Sequence, residues 1–195
     1  MNFIYPPGAT PIDPDEAEGL KPMHITIQSQ LDEWEANNIL NAENWAFSNK
    51  KHPDFLSIPF ICQLHRKMFD ETWHWAGKFR KTEKNIGKTL ASYVSTDLKN
   101  LLDDIKYQLE QHSYPIDEIA YRFHHRLVSI HPFPNGNGRH ARLMTDILLV
   151  QVGQPRFSWG RIQLSDANMV RKQYIDALKC ADNLNYKLLA EFVRT

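Results

Sequence analysis

Residues 121–152 read "YRFHHRLVSI" (121–130), "HPFPNGNGRHAR" (131–142) and "LMTDILLVQV" (143–152). The outer two are helical by their apolar spacing: Ile119, Phe123, Leu127 and Ile130 recur behind Pro115, and Leu143, Ile147 and Leu148 run to a stop near Gly153. Between them, "NGNGR" falls at the start of the second helix, where unpaired backbone N–H groups and the partial positive end of the helix dipole make a natural anion site. Gly136 and Gly138 have no Cβ to obstruct a phosphate, and Asn137 offers a side-chain donor. Arg139 and Arg142, three apart, can share one helical face, and guanidinium forks match phosphate oxygens. His131 precedes this cradle, with Pro132 fixing the backbone after it, and an imidazole with a pKa near ~6.5 suits the removal of a hydroxyl proton at neutral pH. A glycine-arginine loop alone is more often a plain helix start; the twelve residues together read as a nucleotide phosphate held beside a general base.

Working outward, the chain is mostly α. Leu98, Leu101, Leu102, Ile105 and Leu109 predict a helix behind a Ser95 cap, and Met169, Tyr174 and Leu178 one behind Ser165. Leu31, Trp34 and Ile39, then Ile61, Leu64 and Met68, and finally Leu188, Leu189, Phe192 and Val193 predict three more. "WAGKFRKTEKNIGKTLASY" breaks the pattern: Gly77 and Gly87 bracket a basic stretch that reads as a short exposed β-hairpin. "IDPDEAEGLKP" is a very short helix written in end signals, with Asp13 as cap, Pro14 at the first position and Gly19 as terminator, and must dock to be stable.

The 195 residues, 42% of them hydrophobic, suit one domain with a sizeable core. Lys plus Arg and Asp plus Glu both number 23, which gives no electrostatic ground for wholesale nucleic-acid or membrane binding. Cys62 and Cys180 lie in helical patterns and read as reduced thiols; with no leader-like start and no long apolar run, the reading is a cytoplasmic protein. The nine histidines offer no ligand spacing with acids or cysteines, the five tryptophans are dispersed rather than interleaved with a basic patch, and no Walker-type lysine loop occurs.

Residues 131–142 resemble the signature of the Fic family, His-Pro-Phe-x-(Asp/Glu)-Gly-Asn-Gly-Arg-x-x-Arg, departing from it at Asn135. "FHHRLVSIHPF" and "WAGKFR" are also similar to that family's motif-bearing helix and flap, and the resemblance covers about 25–190. It implies a helical bundle with a β-hairpin flap over 25–195, preceded by an N-terminal segment 1–24, and transfer of AMP from ATP to a Ser, Thr or Tyr hydroxyl of a target protein. His131 would then be the base, with Asn137 beside it in the catalytic set. Gly136, Asn137 and Gly138 would surround the transferred phosphate, and Arg139 and Arg142 would hold the rest of the triphosphate. Lys78, Phe79, Arg80, Ile86 and Gly87 would form the flap on which the target lies as an added strand; the plainer reading of its lysines and arginine is a solvated turn.

Asn135 stands where the family places an acidic Mg²⁺ ligand, and a neutral amide is the poorer partner for a hard cation. Weakened Mg²⁺ binding, transfer of a different phosphate-containing group, and nucleotide binding without turnover are the alternatives this opens. "PDEAEG" partly matches the family's inhibitory helix and makes Glu18 a candidate brake opposite Arg142, with Pro14 where Ser or Thr is usual; a solvated acidic helix is the alternative. The chain also resembles a Fic subgroup described as "mobile mystery protein B", which implies a helix-turn-helix partner protein.

Overall fold

The computed structural model describes residues 14–22, 24–48, 51–84, 87–160 and 167–195. Their helices are α1 (Pro14–Ala17), α2 (Gln28–Phe47), α3 (Ile58–Phe69), α4 (Val94–Glu110), α5 (Ile116–Ile130), α6 (Asn137–Gln151), α7 (Ala167–Ala181) and α8 (Lys187–Arg194), with a 3₁₀ turn at Ala91–Tyr93. α3 begins where the Ser57 hydroxyl accepts the Phe60 N–H at 3.3 Å and Pro59 pre-sets the first turn. Behind Pro115, α5 opens with Asp117 and Glu118 against the positive end of its dipole. α4 starts earlier than its sequence predicts: it runs on from the 3₁₀ turn with Tyr93 at the cap, so Ser95 lies inside the first turn. Asp13 and Ser165, the other predicted caps, lie outside the described residues.

α6 is buried on nearly every side, from Asn137 to Leu149, because α2, α3 and α5 all pack on it. Phe123, Leu127, Ile130, Phe133, Met144, Ile147 and Leu148 fill the centre and are at most 1% exposed. Each such side chain contributes roughly 1.5–3 kcal/mol of burial, so the loop joining α5 to α6 is anchored at both ends in the best-packed part of the molecule. α4 and α8 cover the outside of α5, and α7 packs on α8.

α1 docks, as its length demands. The Trp75 indole N–H donates to the Glu16 carbonyl (3.0 Å), the His74 N–H to the Gly19 carbonyl (2.8 Å) and the Lys21 N–H to the Thr72 carbonyl (2.8 Å). A Cβ on Gly19 would stand 2.8 Å from the Trp75 ring, so this glycine is needed for contact as well as for termination. Leu20 and Trp73 form an antiparallel bridge, the β pairing present among the described residues. The expected β-hairpin is not formed there: the described residues of 78–90 contain no strand, and their backbone bonds instead go to the end of α5.

Candidate functional site

His131 ends α5 in a left-handed conformation (φ 53°), which a residue with a Cβ adopts only when its surroundings impose it. Arg80 imposes it. Its guanidinium is buried and donates from Nε to the His131 carbonyl (2.7 Å), from Nη1 to the Thr82 carbonyl (2.9 Å), and from Nη2 to the Thr89 and Ile130 carbonyls. The Arg80 N–H adds a bond to the Pro132 carbonyl (2.9 Å) and the Lys88 N–H one to Ser129 (2.9 Å), so the flap satisfies the carbonyl end of α5. Gly87 (φ 101°) lies directly behind the base, where a Cβ would come within 2.8 Å of the His131 Cβ. Arg80 therefore does not face a docking target: a cation at the negative end of a helix is more stable buried there than solvated on the flap. Lys78 is exposed, Phe79 packs its ring 5.8 Å from that of Phe133, and Ile86 lies outside the described residues.

The cradle is built from backbone. Gly136 (φ 77°) caps α6, and a Cβ there would sit 2.5 Å from the Phe69 ring, so conformation and space both demand glycine. The first bond of α6 is the His140 N–H to the Gly136 carbonyl (2.9 Å), which leaves the N–H groups of Asn137, Gly138 and Arg139 without a partner in their own helix. Gly138 meets only the Tyr174 hydroxyl, 3.7 Å from where a Cβ would be. The Asn137 side chain is not turned toward a ligand: its Oδ1 accepts the Phe133 N–H (2.9 Å) and its Nδ2 donates to the Phe133 carbonyl (2.8 Å), closing the loop on itself.

The two arginines diverge. Arg139 donates to Glu35 Oε2 (2.6 Å) and lies 5.0 Å over the Phe69 ring; the same carboxylate accepts the Trp73 indole N–H at 2.7 Å. Arg142 stacks 5.3 Å over Tyr174, whose hydroxyl is 3.0 Å from His124 Nε2. Glu18 is exposed and meets neither: α1 turns Glu16 inward instead, to a 2.6 Å ion pair with the buried ammonium of Lys84 on the flap. Glu35 escaped sequence reading because α2 is weakly amphipathic and a buried acid there leaves no periodic signal.

Burial, reinforced by the charges of Arg80 and Lys84 and opposed by the Val128 carbonyl, pushes the His131 imidazole down to about 4. The ring is thus neutral and able to accept a proton across the neutral range. Burial also lowers His124 to about 3, His140 to about 4, and His65 well below its ordinary value. Since these rings are neutral in the fold and charge near ~6.5 in the unfolded chain, the unfolded chain binds more protons from about 6.5 down to about 4. Stability should be full above that window and fall steadily through it; a urea midpoint unchanged between pH 7 and pH 4.5 would contradict this burial.

A divalent cation does not fit the protein groups beside the cradle. Asn135 Oδ1 already accepts the Gly136 N–H (2.6 Å) and faces the Arg139 guanidinium at 3.4 Å, so a cation would displace one donor and meet another positive charge. Among the described residues no three His, Cys, Asp or Glu side chains converge as ligands.

Residues 55–149 match the model of the Fic/DOC family. "Protein adenylyltransferase fic-1" of Caenorhabditis briggsae is 32% identical over 116 residues, which are 57% of this chain and 22% of that protein. The solved structure "Fic-1 (aa134 - 508) from C. elegans" superposes with a TM-score of 0.70 at 25% identity, covering 88% of this chain and 50% of that one. An ADP-bound Fic domain of a putative cell filamentation protein from Bartonella quintana gives 0.67 at 18% identity, over 88% and 86% of the two chains, a likeness of fold. The chain thus spans about a fifth of the length of the curated relative it matches. No helix among the described residues is long and apolar enough to cross a membrane.

Proposed function

Because residues 55–149 match the Fic/DOC family model, we propose that the chain is a member of that family and an enzyme that transfers AMP from ATP to a hydroxyl side chain of a protein. The hydroxyl oxygen attacks the α-phosphorus as its proton passes to the His131 imidazole, the bond from the α-phosphorus to the bridging oxygen breaks, and pyrophosphate leaves. A new phosphodiester joins target and AMP. The N–H groups at the start of α6 stabilise the charge that grows on the α-phosphate oxygens. A bound triphosphate brings negative charge to the ring and raises its basicity from the low value of the empty site.

The observation that supports this reading most is the placing of His131, fixed in a left-handed turn by Arg80 directly ahead of a glycine-built helix start. Incubation of the chain and a cell lysate with ATP labelled in the α-phosphate tests it: covalent label on protein is expected, and label only in free nucleotide would reject it. A second reading, reversible nucleotide binding without turnover, is favoured by Glu35 holding Arg139 and by Asn135; saturable ATP binding with no transfer would establish it. Transfer of another phosphate-containing group would appear as a different mass increment.

Since Asn135 suits a cation poorly, we expect transfer to depend only weakly on Mg²⁺. Asn135→Asp places a carboxylate at this position and should make transfer steeply Mg²⁺-dependent, an effect read from rates across a magnesium titration. An unaltered titration would remove Asn135 as the determinant. Glu18, being exposed, supplies no support for a brake on Arg142.

A further inference from the structure

His65 of α3 is wholly buried and joins two segments that the transfer reading uses separately. Its Nδ1 is 2.9 Å from the Gly77 nitrogen, a group that can only donate, so Nδ1 carries a lone pair. Its Nε2 is 3.1 Å from the Asn135 carbonyl oxygen, a group that can only accept, so Nε2 carries the proton. Contacts alone therefore fix the neutral Nε2–H tautomer. Burial, with the nearby His140 and Arg139, acts in the same direction by holding the ring's pKa well below its ordinary value. The ring plane is set as well, stacked on Phe133 at 3.7 Å and 20°.

Both ends of this strut are sensitive positions. A peptide unit is planar, so fixing the Asn135 carbonyl fixes the whole Asn135–Gly136 unit, the entry to the anion cradle. Gly77, where the flap leaves α3's neighbourhood, has φ 76°, and a Cβ there would be 2.7 Å from the Cys62 carbonyl, so its path has little freedom. From Gly77 the chain reaches Arg80, the residue that clamps His131.

We propose that His65 is a positioning residue for the transfer, a two-ended hydrogen-bonding strut that holds the opening peptide of the phosphate cradle in fixed register with the root of the flap. This rests on the reading of the site as one for AMP transfer, although the strut itself does not. A displaced cradle lowers the rate of the chemical step more than it weakens nucleotide binding, because near-attack geometry is more demanding than ground-state contact.

His65→Phe keeps the stack on Phe133 and deletes both hydrogen bonds; His65→Gln keeps one acceptor and one donor a similar distance apart. With α-labelled ATP and the acceptor that the native chain labels, His65→Phe should lower kcat by about tenfold to a hundredfold while KM for ATP stays within about threefold. His65→Gln should recover most of that loss. Native kcat in His65→Phe, equal losses in the two variants, or a loss wholly in KM would overturn the proposal. Nitrogen-15 spectra of the imidazoles in the native chain should show His65 as the Nε2–H form, and an Nδ1–H or charged ring would overturn it too. If His65→Phe does not fold, the spectrum and His65→Gln decide. If the native chain transfers nothing, the AMP-transfer reading fails, and the strut is then judged by the spectrum and by hydrogen exchange at the Gly77 amide. That amide should exchange at least about tenfold faster in His65→Phe than in His65→Gln, and equal rates would overturn the strut.

Discussion

His131→Ala should reduce AMP transfer by roughly 10²–10⁴-fold and leave ATP affinity nearly unchanged. The separation follows from the geometry. Two contacts that secure the turn at residue 131 are made by its backbone: its N–H donates to Leu127 and its carbonyl accepts from Arg80, and alanine keeps both. The cradle is equally backbone-built, and Asn137 closes it onto Phe133 without using the imidazole. What is lost is the imidazole, with its role as proton acceptor and its contact to the Val128 carbonyl. Alanine retains the strain of the left-handed turn, whereas His131→Asn relaxes it, since asparagine visits that region at lower cost. The asparagine variant should therefore be the more stable and just as inactive, which separates loss of the base from loss of the fold. Transfer rates with α-labelled ATP and calorimetric titration with ATP read the two quantities. Activity within about tenfold of native in both variants would show that another group takes the proton.

What the sequence makes legible here is what local chemistry determines. The end of α5, the glycine at the start of α6 and the histidine between them can be read because cap residues, helix periods and φ > 0 positions are short-range signals. Long-range partners cannot be. Arg80 sits in a run of lysines that reads as a solvated flap, and nothing within ten residues of it reveals that α5's carbonyls lie overhead. The same remoteness explains the missing hairpin, since the flap's N–H groups bond to Pro132 and Ser129 rather than to each other. His65, four residues after Ile61, falls on the apolar stripe of α3, so its burial is legible in the period, but its two partners, the Gly77 N–H and the Asn135 carbonyl, are remote in sequence and are not. Glu16 lies on α1 and Glu18 in the turn just after it, and the docking against Trp75 decides which carboxylate turns inward.

Arg80→Ala should be the most destabilising single change in the flap, and it should cost activity beyond its effect on folding. Removing the guanidinium strands the carbonyls of Thr89, Ile130 and His131 in a region from which water is excluded, and a buried acceptor left unsatisfied costs about 1–3 kcal/mol. Relaxation will recover part of the sum, so a loss of about 3 kcal/mol is expected, or roughly 6–12 °C in Tm for a chain of this size. Arg80→Lys retains the charge at the end of α5 but not the fork, because one ammonium cannot reach carbonyls on three sides; it should recover less than half of the loss. Lys78→Ala, two residues away and exposed, should change stability by no more than about 0.5 kcal/mol. The functional consequence is distinct from the thermal one. Without the guanidinium the turn at His131 loses the clamp on its carbonyl, although its N–H bond to Leu127 remains, and the ring can leave the position ahead of the cradle. At a temperature where Arg80→Ala is still folded by circular dichroism, kcat should therefore fall while ATP binding persists. A variant that melts within about 2 °C of the native chain would show that the carbonyls find other donors and that the clamp is dispensable.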